Sequence, residues 1–137
     1  MYPVELTIPM AKDLTEFGFE SLTNPEDVIK TIENSTGTLL LVVNSVCGCA
    51  AANARPGAKI AIQNQKKPDQ CVTVFAGVDK EATEKAREYL LPYPPSSPAI
   101  ALFKEGKLVH MLERHHIEGR SAQMIAGNLV EAFDHFC

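Results

Sequence analysis

Hydrophobic and polar residues alternate along the chain in blocks, and these blocks predict strands and helices in turn. Residues 38–43 and 71–76 are short, almost continuously apolar runs, which are typical of strands buried on both faces of a largely parallel sheet. A helix capped by Asn24 precedes the first run, and an alanine-rich helix over residues 49–65 follows it. Asp79 is expected to cap another helix, so the order of elements predicts an α/β layered fold.

The second half of the chain contains a proline-rich loop, a hairpin and a closing helix. Four prolines within residues 91–98 exclude a helix there, because proline lacks the N–H donor and fixes φ. The apolar segments 99–103 and 107–112 flank a turn at residues 105–106, which predicts an antiparallel β-hairpin. Apolar residues then recur at helical spacing from Ser121 onward. A βαβ unit followed by this hairpin and helix predicts a central mixed sheet flanked by helices.

Length, charge and cysteine content narrow the class of protein. A chain of 137 residues is expected to form one domain, residues 1–137, whose core needs no disulfide framework. The net charge is -4, and no basic stretch is interleaved with aromatic residues, which argues against a nucleic-acid partner. No signal-peptide pattern and no apolar run of membrane-spanning length are found. We therefore expect a cytoplasmic protein without a membrane partner, in which cysteines are more often catalytic or metal-binding.

Two cysteines one glycine apart, Cys47 and Cys49, lie between the first buried strand and the alanine-rich helix. Ligands tend to bind at the carboxyl edge of such a sheet, and unpaired N–H groups at a helix N-terminus favour a thiolate over a thiol. We therefore expect Cys47, at the helix start, to be the more exposed thiol and the nucleophile, and Cys49 to resolve a mixed disulfide. Gly48 is expected to supply the backbone freedom that closes a small disulfide ring.

The cysteines and histidines also allow other interpretations. The cysteine pair together with His115 and His116 offers four possible zinc ligands, although the one-residue spacing differs from the usual gap between zinc-binding cysteines. The two histidines are otherwise interpreted as part of a solvated loop. Cys71 begins a buried strand and is interpreted as a small core residue, whereas Cys137 at the last position has no predicted role.

A resemblance to known proteins rests on several separate segments. The hairpin that begins at Pro98 is similar to the segment of thioredoxin-fold proteins that starts with a cis-proline facing the active-site cysteines. Together with it, six segments resemble the bacilliredoxin family across essentially the whole chain: MYP at 1–3, PM at 9–10, NSVCGCA at 44–50, ARP at 54–56, FAG at 75–77 and HHIEGR at 115–120. The resemblance implies a thioredoxin-like fold and a Cys-Gly-Cys site that removes bacillithiol from protein mixed disulfides. It implies Cys47 as nucleophile, Cys49 as resolving thiol, and disulfide isomerase activity.

Residues near the cysteines are predicted to bind the substrate. Pro98 and the Ser97 backbone are expected to hold a substrate strand near the two sulfur atoms, and Gly48 is predicted to share this site. Arg55 and Arg120 are expected to attract the carboxylates of a low-molecular-weight thiol, because guanidinium pairs well with carboxylate. The expected partners are bacillithiolated or disulfide-containing proteins and a small thiol, with no cofactor and no metal ion.

The chain departs from thioredoxin in three respects. One residue rather than two separates the cysteines, no tryptophan precedes them, and Leu41 occupies the position of thioredoxin's buried acid. These departures argue against efficient thioredoxin-type reduction of proteins. Two alternative functions therefore stay open from the sequence: a general disulfide isomerase without small-thiol specificity, and a noncatalytic carrier of metal or persulfide.

Overall fold

The computed structural model describes residues 2–137, in which helices and strands follow one another along the chain. The helices are α1 (Val4–Thr15), α2 (Pro25–Glu33), α3 (Arg55–Ala61), α4 (Lys80–Glu88), α5 (Arg114–Ile117) and α6 (Ala122–Phe136). A π-helical turn, Ala50–Ala54, leads directly into α3. The strands are β1 (Glu20–Ser21), β2 (Thr38–Asn44), β3 (Gln70–Phe75), β4 (Ala99–Lys104) and β5 (Lys107–Leu112). None of the helices in this described part of the chain is long and apolar enough to cross a membrane.

These strands form one five-stranded sheet in the order β1-β3-β2-β4-β5. β3 pairs in parallel with both β1 and β2, whereas β4 is antiparallel to β2 and β5 is antiparallel to β4. The hairpin between β4 and β5 turns on Glu105 and Gly106, whose φ angles of 51° and 77° suit a two-residue hairpin turn. The predicted mixed sheet, hairpin and closing helix are therefore confirmed.

β2 lies at the centre of the fold, with all seven of its residues buried. Leu40 and Val42 belong to the apolar cluster that the sheet shares with α3 and α6. Leu39, Leu41 and Val43 belong to the cluster on the other face, which includes residues of α2 and α4. Because successive side chains of a strand point to opposite faces, a continuous apolar run is what this position between two helical layers requires. Both layers hold the carboxyl end of β2, where the cysteines follow, in place.

Side-chain hydrogen bonds cap the starts of two helices, one at the predicted cap Asn24 and one at Ser121, near which a helix was predicted to start. The Asn24 side chain accepts a hydrogen bond from the Asp27 amide at 2.9 Å before α2. The Ser121 hydroxyl accepts one from the Met124 amide at 3.1 Å before α6. α4 begins after Asp79 as predicted, but the predicted cap by the Asp79 side chain is wrong, because that side chain makes no capping hydrogen bond.

Three features differ from the sequence predictions. α1 and β1 are additional elements: α1 leaves Val4, Leu6 and Ile8 largely exposed and so lacks a clean apolar face, and β1 has only two residues. The alanine-rich helix predicted over residues 49–65 begins with the π-helical turn, and α3 ends at Ala61. The two histidines that were expected in a loop lie in the short helix α5.

Candidate active site

The two neighbouring cysteines follow the end of β2, where the chain turns into the helical segment. β2 ends at Asn44, Cys47 lies directly before the first helical turn, and Cys49 lies within that turn. The Cys47 carbonyl accepts hydrogen bonds from the amides of Ala50 and Ala51, at 3.0 and 3.3 Å. Cys47 is partly exposed, whereas Cys49 is buried. Their placement at the carboxyl edge of the sheet agrees with the position expected from the sequence.

The two sulfur atoms face each other across Gly48. The Cys47 and Cys49 Sγ atoms are 2.7 Å apart, and both residues are free cysteines. Gly48 does not have a positive φ, and a Cβ added to it would lie in open space. Cys47 lies outside the helix, so the two reduced thiols face each other without a special backbone conformation at Gly48. The backbone freedom of Gly48 was expected for closing the disulfide ring, which these reduced thiols do not form.

The two thiols have unequal environments. The hydrogen bond with the Cys49 thiol is the largest cause that lowers the pKa of Cys47 below its ordinary value of 9.0, and the Cys49 backbone amide is the next. Burial opposes this lowering, and the Arg114 guanidinium and the Ala50 amide make smaller contributions to it. Burial raises the pKa of Cys49, and the Cys47 and Glu118 side chains raise it further, although Arg114 lowers it. Cys47 is therefore the thiol of the pair that ionises first, and Cys49 is its hydrogen-bond donor.

Arg114, the first residue of α5, is a site residue that the sequence prediction missed. Its Nη2 atom donates to Cys47 Sγ at 3.3 Å, and its Nη1 atom donates to the Ser97 carbonyl at 3.4 Å. Its Nε atom donates to Glu118 Oε2 at 3.1 Å, which orients the guanidinium over the sulfur. The Arg114 side chain is 46% exposed, so it can contact a bound substrate as well as the thiol.

The loop before β4 forms a second wall of the site. The Ser97–Pro98 peptide bond is cis, as the sequence predicted, and β4 begins at the next residue, Ala99. Ala99 pairs with Val43 near the end of β2, which brings the loop to the edge of the sheet where the cysteines lie. Pro98 is buried and Ser97 is partly exposed. Arg114 links this loop to Cys47, because its guanidinium donates to both.

Arg55, the first residue of α3, lies beneath the site and not on its surface. Its side chain is buried, and the guanidinium donates to Asn44 Oδ1 at 2.9 Å, to the Ser45 carbonyl at 3.0 Å and to Asp13 Oδ2 at 3.0 Å. A guanidinium enclosed in this way is not placed to meet a substrate carboxylate, contrary to the predicted role of Arg55. The physical reason is α1, which carries Asp13 and is absent from the predicted elements.

Arg120 keeps a surface position between α5 and α6. Its carbonyl accepts a hydrogen bond from the Asn53 side chain in the π-helical turn. Its side chain lines a small cavity of about 70 Å³ together with His116 and Met124. Of the two arginines predicted to attract a substrate carboxylate, Arg120 is the one whose exposure suits that role, which stays a prediction.

The four-ligand zinc site that the sequence left open is not assembled among the described residues. The structure instead groups Glu113 with His115 and His116, whose possible ligand atoms lie within 4.8 Å of one another. His116 Nδ1 accepts a hydrogen bond from the Glu113 amide at 3.0 Å. In a neutral imidazole the other nitrogen then carries the proton, so His116 has no free lone pair for a metal ion. The group therefore includes neither cysteine and only one available imidazole.

The remaining two cysteines have different surroundings. Cys71 lies in β3, opposite Leu40 of β2, and packs against the apolar cluster of α3 and α6. Burial raises the pKa of Cys71 to about 11, so its thiol stays neutral near physiological pH. Cys137 is exposed beyond the end of α6.

Similar proteins identify the family of this chain. A family model described as "Disulphide isomerase" matches residues 2–137. A bacilliredoxin of Cytophaga hutchinsonii is 58% identical over 134 residues, which cover 98% of each chain. The chain belongs to the bacilliredoxin family. Bacilliredoxins of Salinibacter ruber and Bacillus cereus are each 52% identical, over 99% of this chain and 81% and 95% of their own lengths.

Solved thioredoxins share the fold of this bacilliredoxin-family chain. Mitochondrial thioredoxin 3 of Saccharomyces cerevisiae, in its oxidised form, has a TM-score of 0.61 at 18% identity and covers 90% of this chain and 98% of its own. Fasciola hepatica thioredoxin has a TM-score of 0.60 at 18% identity, over 87% of this chain and 100% of its own. The fold is therefore thioredoxin-like. Family and fold together make this protein a thiol–disulfide oxidoreductase.

Proposed function

We propose that the protein, as one domain over residues 1–137, removes bacillithiol or a similar small thiol from mixed disulfides on other proteins in the cytoplasm. The observation that carries the proposal is the unequal thiol pair. Cys47 Sγ lies 3.3 Å from a guanidinium nitrogen of Arg114 and 2.7 Å from Cys49 Sγ, so one thiol is favoured as a thiolate and the other as a donor. Membership of the bacilliredoxin family supports bacillithiol as the small thiol.

In the first step, the Cys47 thiolate attacks the bacillithiol sulfur of the mixed disulfide. A bond forms between Cys47 and bacillithiol, the bond to the target protein breaks, and the target cysteine leaves as a thiolate that takes a proton from water. The lowered pKa of Cys47 increases the fraction of attacking thiolate near neutral pH. Arg114 contributes to this lowering through its positive charge.

In the second step, the Cys49 thiolate attacks Cys47 Sγ, which forms the Cys47–Cys49 disulfide and releases bacillithiol. The ionised Cys47 is one of the causes that raise the pKa of Cys49, and the first step removes that charge. Resolution therefore becomes easier after the first attack. Leu41 is fully buried and provides no acidic group, so the Cys49 proton passes to water or to the leaving thiolate. A dithiol or two small thiols return the disulfide to the reduced state.

Substrate binding is assigned to the loop and the arginines at the rim. The Ser97–Pro98 loop holds the backbone of the target protein next to Cys47, and the space beside Gly48 is open. When Cys47 enters a mixed disulfide, Arg114 Nη2 loses its anionic partner and becomes available to a carboxylate of the bound small thiol. Arg114 thus takes the role that was predicted for Arg55, with Arg120 as a second contact.

A general disulfide isomerase is the second candidate, and the description of the matching family model favours it. An isomerase uses the same attack by Cys47 on a protein disulfide but requires no recognition of a small thiol. Both functions use one nucleophile and one resolving thiol, so the substrate distinguishes them.

The decisive experiment offers the reduced protein one target protein loaded with either bacillithiol or glutathione. We expect faster release of bacillithiol than of glutathione, measured by intact mass of the target over time. A scrambled protein disulfide serves as a third substrate in the same assay. Equal rates for the two small thiols, with faster reshuffling of the scrambled disulfide, would instead support the isomerase.

A further inference from the structure

A buried guanidinium lies directly beneath the loop that carries the candidate nucleophile. Arg55 is only 4% exposed, although it comes just eight positions after Cys47 in the chain. Buried charges are normally paired, and Asp13 supplies the opposite charge at 3.0 Å from Arg55 Nε. Burial alone would raise the pKa of Asp13, but hydrogen bonds from Lys59 and Arg55 outweigh it and lower the pKa, so the carboxylate is ionised.

Arg55 is joined to Cys47 through the strand-to-helix corner, Asn44 and Ser45. Arg55 Nη1 donates to Asn44 Oδ1 at 2.9 Å and to the Ser45 carbonyl at 3.0 Å. Asn44 Oδ1 also accepts from the Ser45 amide at 2.8 Å. The Ser45 hydroxyl then accepts from the Cys47 amide at 3.0 Å. A continuous chain of hydrogen bonds therefore leads from the guanidinium to the backbone of the nucleophile.

The geometry of this chain requires a guanidinium and not simply a positive charge. Arg55 satisfies three acceptors in different directions, on Asn44, Ser45 and Asp13, with its planar set of donors. The ammonium of a lysine is a point charge on a flexible stem, so it cannot hold the corner and the carboxylate in the same fixed arrangement. Lys59 provides a comparison within the fold, because it pairs with Asp13 at 2.5 Å but makes no bond to the corner.

We propose that Arg55 is a positioning residue that sets the reactivity of Cys47 by holding the Asn44–Ser45 corner in one conformation. The corner places Cys47 Sγ where Cys49, two backbone amides and Arg114 stabilise its thiolate. The inference rests on the proposed role of Cys47 as the nucleophile. It does not depend on which disulfide the protein reduces.

The test measures how the alkylation rate of Cys47 depends on pH in Arg55→Lys, with Lys59→Met as the matched control. Iodoacetamide is the probe, and mass spectrometry of the Cys47 peptide separates this thiol from the other cysteines. Arg55→Lys keeps the charge beside Asp13 but loosens the corner. We expect its alkylation rate at pH 7 to fall about threefold to tenfold, because a smaller fraction of Cys47 is then ionised. Lys59→Met should keep the wild-type profile, because it leaves the corner intact.

Ser45→Ala is the second test variant, and it is used if circular dichroism shows that Arg55→Lys does not fold. It removes the acceptor of the Cys47 amide and should shift the same profile in the same direction. A folded Arg55→Lys with the wild-type profile would overturn the inference, and so would an equal shift in Lys59→Met. If Arg55→Lys is unfolded, an unshifted Ser45→Ala overturns it. Failure of the wild-type protein to release bacillithiol would contradict the proposed function and leave this alkylation test intact.

Discussion

Cys47 and Cys71 are both partly exposed, but Cys47 follows the end of a strand whereas Cys71 lies within one, and their pKa values shift in opposite directions. Cys47 follows the carboxyl end of β2, is partly exposed, and receives hydrogen bonds and a nearby guanidinium that lower its pKa. Cys71 lies within β3, packs against apolar side chains, and has its pKa raised to about 11 by burial. The comparison shows that reactivity comes from the place of a cysteine relative to strand ends and helix starts, since the residue type is identical.

The largest expected effect is the difference in alkylation between these two thiols. The pKa of Cys47 lies below 9.0 and that of Cys71 is about 11, so the values differ by more than about two units. Each unit is a factor of ten in thiolate, so iodoacetamide at pH 7 should modify Cys47 more than about a hundredfold faster. Peptide mass spectrometry at limited reagent measures both rates at once. Similar rates at the two sites would remove the distinction on which the comparison rests.

The alkylation rates of Cys47 and Cys71 should also depend differently on pH. Thiolate forms as pH rises, so the Cys47 rate should reach half of its maximum below pH 9.0, whereas the Cys71 rate should still be rising steeply at about pH 11. Rates measured from pH 6 to pH 11 on the folded protein test this order. A Cys71 rate that levels off at the lower pH would contradict the assigned effect of burial.

A smaller effect is expected from Arg114→Met, which removes the exposed charge beside the nucleophile. The pKa of Cys47 should rise, and the alkylation rate at pH 7 should fall about twofold to fivefold, because an exposed charge at this distance is partly screened by solvent. The difference from wild type should shrink in high salt. Arg120→Met is the matched control, since it removes the same charge from the rim and should leave Cys47 unchanged. A larger effect of Arg120→Met than of Arg114→Met would show that Arg120, and not Arg114, stabilises the Cys47 thiolate.

The smallest effect is expected from Cys71→Ala. The substitution removes a partly buried sulfur from the core and should lower the free energy of unfolding by about 1 kcal/mol. Transfer of the small thiol should continue at the wild-type rate, because Cys71 makes no contribution to the proposed steps. Urea unfolding and the transfer assay measure the two quantities separately. Loss of transfer in a folded Cys71→Ala variant would show that this thiol takes part in the chemistry.

The strands β2 to β5, the hairpin and the Asn24 cap could be predicted because their signals are local. β2 is buried on both faces and is therefore apolar at every position, and the Asn24 cap lies within three residues of the amide it binds. The position of Cys47 before the helix follows from the same local pattern. α1 could not be predicted in this way, because Val4, Leu6 and Ile8 are largely exposed and its buried side is narrow.

The two arginines at the site required knowledge of contacts between distant segments. Arg55 pairs with Asp13, which lies 42 positions earlier in helix α1. Because α1 was not predicted, the sequence did not indicate that Arg55 is buried. Arg114 lies 67 positions after Cys47. The nearness of Arg114 to Cys47 could have been predicted from the order of strands in the sheet. β5 ends beside the start of β4, and the start of β4 lies beside the end of β2. Arg114, two residues after the end of this hairpin, therefore lies at the sheet edge where the cysteines are.

The central claim, that Cys47 attacks and Cys49 resolves, is tested most directly by trapping the small thiol on variants in which one cysteine of the pair is replaced by serine. Cys49→Ser and Cys47→Ser are each incubated with a bacillithiolated target protein, and after free thiol is removed the intact mass counts the adducts and peptide mass spectrometry separates those on the pair from any on Cys71 or Cys137. We expect Cys49→Ser to gain one bacillithiol on Cys47 and to keep it, whereas Cys47→Ser should gain none. A stable adduct on Cys49 in the Cys47→Ser variant, with no adduct in Cys49→Ser, would show that the two roles are reversed.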